Sequence, residues 1–135
     1  MNESEEKAFA EFMEKDSLTR YIVSPNGFWY TFDQKKENAS LPEIGDQVFY
    51  TFAVYDMNNT VIYSAEEIGV KTYTIDKQEI IEGLRNGLKL MSAGDSATFL
   101  FPSHKVYGYI GDANKIEINQ PLIYKVKLIK INRKK

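Results

Sequence analysis

Residues 79–95, EIIEGLRNGLKLMSAGD, constrain the fold more than any other stretch of the chain. Ile81, Leu84, Leu88 and Met91 recur at intervals of three or four, the stripe of a helix with one buried face. The segment is only about three turns long and carries Gly83 and Gly87 inside it. Each internal glycine costs a helix about 0.5–1 kcal/mol relative to alanine, and helices shorter than about a dozen residues are marginal in water. Such a helix needs a cover over its stripe. Two glycines four apart share a face, which permits close approach of another backbone or leaves room for a ligand. Asp76 with Glu79 three residues on resembles a capping box, and Gly94 lies where a helix C-terminal glycine belongs, so both ends are expected to be specified locally.

Strand signals supply the cover. VFYTFAVYD, VIYS, VKTYTI, SATFLF and PLIYKVKLIKI follow one another from Val48 onward, with a polar MNNT turn between the first two. In the last, Leu122, Tyr124, Val126 and Leu128 alternate with Lys125 and Lys127, so one face is buried and the other wet. That alternation is antiparallel behaviour. Earlier, RYIVSPNGFWYTF places two β-rich runs around Pro-Asn-Gly, a tight-turn sequence because Asn and Gly tolerate positive φ. Residues 4–15, SEEKAFAEFMEK, read as a short amphipathic helix with Phe9, Phe12 and Met13 on one side. Hairpins, one short helix and no βαβ spacing predict an α+β domain in which an antiparallel sheet folds over a single helix.

The chain of 135 residues, 43% hydrophobic and 27% charged, matches one ordinary domain. A net charge of -2 argues against nucleic acid or an anionic membrane as partner. There is no cysteine, so neither disulfides nor thiolate metal sites contribute. His104 is the only histidine and no metal-ligand spacing surrounds it, which makes it a surface loop residue. Asn38-Ala39-Ser40 and Asn58-Asn59-Thr60 match the glycosylation pattern, a short pattern that is common by chance. No apolar run reaches the length of a membrane helix, and MNESEEK is not a signal peptide, leaving a cytoplasmic protein or a mature fragment whose export signal has been removed. The aromatic content of 13%, with nine Tyr, must line something.

These blocks resemble the successive segments of an FKBP-type peptidyl-prolyl cis-trans isomerase, over residues 45–131. The helix carries the most specific part: Ile80-Ile81, Gly83, Leu84, Gly87, then Met91 to Gly94, followed at the family's distance by Pro102 to Tyr107-Gly108. The resemblance implies a twisted antiparallel sheet around one short helix, with residues 1–19 as an N-terminal helical extension and 20–135 as the FKBP-like domain. It implies no cofactor and no metal. It offers Tyr107, through its hydroxyl, and the backbone N–H of Ile81 as the catalytic groups. Tyr50, Ile62, Tyr63, Ile80, Leu84, Ile116 and Tyr124 would bind substrate, with Ile116 and Ile118 on a flap after Tyr107. Without the resemblance, Ile80, Leu84 and Tyr124 would read as core, whereas Tyr107 stands in a polar, glycine-spaced loop, HKVYGYIGDAN, that suits no core.

The sequence also departs from the family pattern. The usual pocket-floor tryptophan is Leu84, the usual aspartate aligns with Tyr63 and its aromatic neighbour with Ile62, and the flap position that is often histidine is Asp112. These changes put catalytic rate and macrolide binding in doubt, since leucine cannot copy a flat aromatic face. The acidic N-terminal helix and FWYTF are similar to a subgroup of gliding-motility-associated envelope lipoproteins, which would imply an export signal and a lipidated cysteine upstream of residue 1. The expected partners are proline-containing polypeptides, without nucleic acid or membrane contact by this chain, and the expected state is a monomer in the bacterial envelope or periplasm. A non-catalytic proline-peptide or client-binding module on the same fold is the alternative.

Overall fold

The computed structural model describes residues 3–37 and 39–134, so Asn38 of the first glycosylation pattern lies outside the described residues. In chain order the elements are α1 (Glu3–Lys15), β1 (Ile22–Val23), β2 (Trp29–Gln34), β3 (Gln47–Tyr55), β4 (Val61–Tyr63), α2 (Ala65–Ile68), β5 (Lys71–Thr74), α3 (Glu82–Leu88), β6 (Ser96–Phe101) and β7 (Leu122–Asn132). The seven strands form one sheet in the order β1-β2-β6-β7-β3-β4, with β5 also paired to β3. Every pairing is antiparallel. This is the expected α+β architecture. At the Pro-Asn-Gly turn, Gly27 takes φ 84 and the Ser24 N–H donates to the Phe28 carbonyl at 2.8 Å, which closes the β1–β2 hairpin. No helix among the described residues is long and apolar enough to cross a membrane.

The period of two sorts the side chains onto two faces. Val48, Tyr50 and Val54 of β3, Phe99 and Phe101 of β6, and Tyr124, Val126 and Leu128 of β7 pack in one core with Leu84 and Leu88 of α3. Leu100 and Ile123 point the other way and are covered by Phe9 of α1. The N-terminal helix is therefore docked on the outer face of the sheet.

Helix α3 is shorter than its sequence suggested. It spans seven residues, begins after Ile81 without a side-chain cap, and ends at Lys89 in ordinary right-handed geometry. Asp76 caps nothing: it sits in the preceding turn at φ 58 and pairs with Lys89 Nζ at 2.7 Å. Gly94, at φ 92, belongs to the turn before β6 and donates its N–H to the Leu128 carbonyl at 2.7 Å. Packing, not capping, sets the limits of α3, because the chain between β5 and β6 must place Leu84, Leu88 and Met91 on one core within a short span. A capping box does exist at α2, where Ser64 Oγ accepts from the Glu67 N–H at 3.2 Å and Glu67 Oε1 from the Ser64 N–H at 2.7 Å.

The two glycines of α3 make room for aromatic rings. A Cβ at Gly83 would lie 3.0 Å from the Phe101 ring, and one at Gly87 would lie 2.9 Å from the Phe99 ring. Those rings stack on each other, centroids 5.3 Å apart and 6° from parallel, so the helix backbone rests on a continuous aromatic plate. Neither a second backbone nor a ligand fills the space. Gly87→Ala tests this. Alanine gains about 1 kcal/mol of helix propensity, whereas forcing a methyl into a filled core costs about 1–3 kcal/mol. A net loss of unfolding free energy in urea titration is the expected outcome, and a stabilised variant would refute the plate.

Candidate active site

An open cavity of about 340 Å³ lies at the end of the β3–β7 pair, beneath the loop that follows Tyr107. Phe52 and Val54 of β3 and Tyr124 of β7 form its sheet wall, Tyr63 and Ile68 a second wall, and Tyr107, Asp112 and Ile116 the third. Glu67 and Lys71 add charge to its lining. Phe52 and Tyr124 stack with centroids 5.3 Å apart and 7° between planes, and Phe101 meets Tyr124 edge-on at 5.2 Å.

Of the residues expected at the site, Tyr63, Tyr107, Ile116 and Tyr124 line the cavity together. Tyr50 and Leu84 are 3% exposed and lie deeper in the same packed cluster. Ile62 and Ile80 are half-buried against that cluster, and Ile81 is half-buried at the start of α3. Ile118 is exposed, as is His104 on the short 3-10 turn Ser103–Lys105. Phe52, Val54, Glu67, Ile68 and Lys71 were not anticipated. Phe52 and Val54 were findable, since strand alternation puts them on the face of Tyr50, and the Ser64-x-x-Glu67 signature marked the helix that carries Ile68.

Two pairs of side chains organise the polar side of the cavity. Tyr63 donates its hydroxyl to Asp112 Oδ2 at 2.5 Å, while Asp112 Oδ1 accepts the N–H groups of Asn114 at 2.9 Å and Ile116 at 2.8 Å. The Asp112 carboxyl is thereby held below the ordinary carboxylate range: burial opposes its charge, but the Tyr63 hydroxyl and the backbone donors outweigh burial. Donating to that carboxylate raises the Tyr63 phenol above its usual value. Tyr63 and Asp112 occupy two of the positions that depart from the family pattern, and here they bond to each other.

The second pair is Tyr107 with Tyr124. Tyr124 is 1% exposed, and burial together with the neighbouring Tyr107 hydroxyl pushes its phenol far up. Burial also raises Tyr107, as does the nearby Asp112 charge, while the neighbouring Tyr124 hydroxyl pulls it down. A tyrosine hydroxyl has one proton to give and lone pairs to receive. With its phenol raised, Tyr107 stays protonated and has a proton to offer. Burial pushes the Tyr50 phenol up to about 12, so it too stays protonated. The cavity thus combines aromatic and aliphatic walls with a charged rim, and the Tyr107 hydroxyl stands among them as a neutral donor.

Residues 38–129 match the FKBP-type peptidyl-prolyl cis-trans isomerase family. Among curated proteins, the chain is 28% identical to a probable FKBP-type peptidyl-prolyl cis-trans isomerase FkpA of Neisseria meningitidis, over 95% of this chain and 46% of that one. It is 28% identical to the outer membrane protein MIP of Legionella longbeachae, over 97% of this chain and 55% of that one. FK506-binding protein 1B of Aspergillus fumigatus is 31% identical over 67% of this chain and 82% of its own length. The chain thus spans about half the length of the two bacterial relatives. In three dimensions it superposes on FkpA from Escherichia coli with a TM-score of 0.76 at 20% identity, covering 96% of this chain and 60% of that one. With the sheet, the glycine-bearing helix and the tyrosine-lined cavity described, this chain belongs to the FKBP-type peptidyl-prolyl cis-trans isomerase family.

Proposed function

We propose that the chain accelerates rotation about X-Pro bonds of polypeptides in the cavity beside Tyr107. The observation that supports the reading is the Tyr107 hydroxyl, which lines an open cavity of mixed apolar and polar walls and is kept protonated by burial. Rotation about an X-Pro bond faces a barrier of about 20 kcal/mol because amide resonance is lost. No covalent bond is made or cut, so the catalyst has only to bind the twisted imide better than either planar form. Phe52, Val54, Ile116 and the Tyr124 ring take the proline ring out of water, where the planar, more dipolar amide loses more. Tyr107 donates to the substrate carbonyl and so fixes which end turns, while the Ile81 N–H at the start of α3 holds the next carbonyl. Tyr50, Ile80 and Leu84 support the floor, and Ile62 and Tyr63 the β4 side.

Leu84 in place of an aromatic platform makes the expected activity weak, because a flat ring offers a large rigid contact. Residues 20–135 act as the catalytic domain with residues 1–19 as its extension. Placement in a bacterial envelope is supported by the relative named as an outer membrane protein. The test is magnetisation-exchange NMR on a proline-containing test peptide. Added protein is expected to raise the cis-trans exchange rate in proportion to its concentration. Unchanged exchange, with peptide-induced shifts at Tyr107 and Ile116, would overturn catalysis in favour of a binding module.

A further inference from the structure

Tyr107 is reached from β6 through Pro102, the Ser103–Lys105 turn and Val106, and this segment is clamped from two sides. On one side Lys105 Nζ donates to Glu82 Oε2, in the first turn of α3, at 2.6 Å. On the other stands Glu5 of α1, only 5% exposed. Its Oε1 accepts the backbone N–H of Ser103 at 2.6 Å and its Oε2 accepts the Ser103 hydroxyl at 2.7 Å, across 98 residues of sequence. The Ser103 carbonyl then accepts the N–H groups of Val106 at 3.0 Å and Gly108 at 2.8 Å, the residues on either side of Tyr107.

We propose that Glu5 is a positioning residue for Tyr107, which makes the N-terminal helix part of the machinery of the site. The inference rests on the isomerase reading given above. A carboxylate withdrawn from water is costly unless strong donors fill its lone pairs, and two donors from a single residue fix that residue in both direction and distance. Glu5 is delivered accurately because Phe9, one helical turn further on and on the same face, is buried against Leu100 and Ile123. Tyr107 lies four residues beyond the clamped serine, and a displacement of about 1 Å at a catalytic group can cost about a hundredfold in rate.

The experiment combines Glu5→Gln, which preserves volume, with Tyr107→Phe, and adds Ser103→Ala, which removes only one of the two bonds that Ser103 gives to Glu5. Glu5→Gln is expected to lower kcat about three- to tenfold with little change in KM, and to have no further effect once Tyr107 is Phe. Ser103→Ala should give a smaller loss in the same direction. In NMR spectra, the amide signals of Val106 and Gly108 and the ring signals of Tyr107 should move in Glu5→Gln while the β3–β7 pair stays unchanged. Equal losses in both Tyr107 backgrounds would overturn the proposal, since they would mean a general structural effect. Unmoved Gly108 and Tyr107 signals would overturn it whether or not the chain is an isomerase. An inactive wild type with moved signals would defeat the isomerase reading alone, leaving the coupling of Glu5 to the Tyr107 loop in place. Should Glu5→Gln fail to fold, Ser103→Ala decides by the same signals.

Discussion

Tyr107→Phe is expected to lower kcat/KM for a proline test peptide about five- to tenfold, the equivalent of one neutral hydrogen bond of about 1–1.4 kcal/mol made in the transition state. The same substitution also alters the surroundings of the buried Tyr124 hydroxyl, so a second loss can come through folding stability. The two losses can be separated. Tyr124→Phe deletes the neighbouring hydroxyl but leaves the Tyr107 proton available, so it should retain most of the activity, and urea titration of both variants accounts for the stability component. Wild-type kcat/KM in folded Tyr107→Phe would remove Tyr107 from the chemistry. An equal loss in both variants would mean that packing of the pair matters and the hydroxyl proton does not.

Phe99→Ala should lower the unfolding free energy by about 3–5 kcal/mol, the range for deleting a large buried aromatic side chain. Its ring is 1% exposed, stacks on Phe101, meets Phe28 edge-on at 5.8 Å and lies beneath Gly87. Two features push the cost towards the upper end. The glycine face of α3 has no side chain with which to fill the void, and the helix is too short to persist without its support. Leu84 and Leu88 would loosen with it, so peptide binding should weaken as well. Urea unfolding measures the first effect and peptide titration the second. A loss below about 1.5 kcal/mol, the scale of a tolerated core swap, would show that α3 does not depend on the plate.

The strands were legible because their alternation is enforced along their length: shifting PLIYKVKLIKI by one residue would bury Lys125 and Lys127. The limits of α3 were misread because a capping signature is a local signal, and at Asp76 the backbone turns left-handed instead of opening a helix. The real capping box at Ser64 was passed over because α2 is a single turn with no buried residue, which leaves no hydrophobic stripe to notice. Tyr107 stood out as an aromatic residue in a polar loop, but Phe52 and Val54 looked like any other strand interior. The bond between Tyr63 and Asp112 joins residues 49 apart, so neither residue could announce its partner in the sequence. The grip of Glu5 on Ser103 was hidden for the same reason.

The strand order has a consequence for how the molecule is assembled. β1, β2 and β6 pair among themselves, and β4 and β5 pair with β3, but β7 alone joins the two groups. Until residues 122–132 arrive, a nascent chain holds two open half-sheets, each with an unsatisfied edge of the kind that invites association with other chains. The strand that closes the sheet also carries Tyr124, so the cavity is completed in the same event that removes those sticky edges.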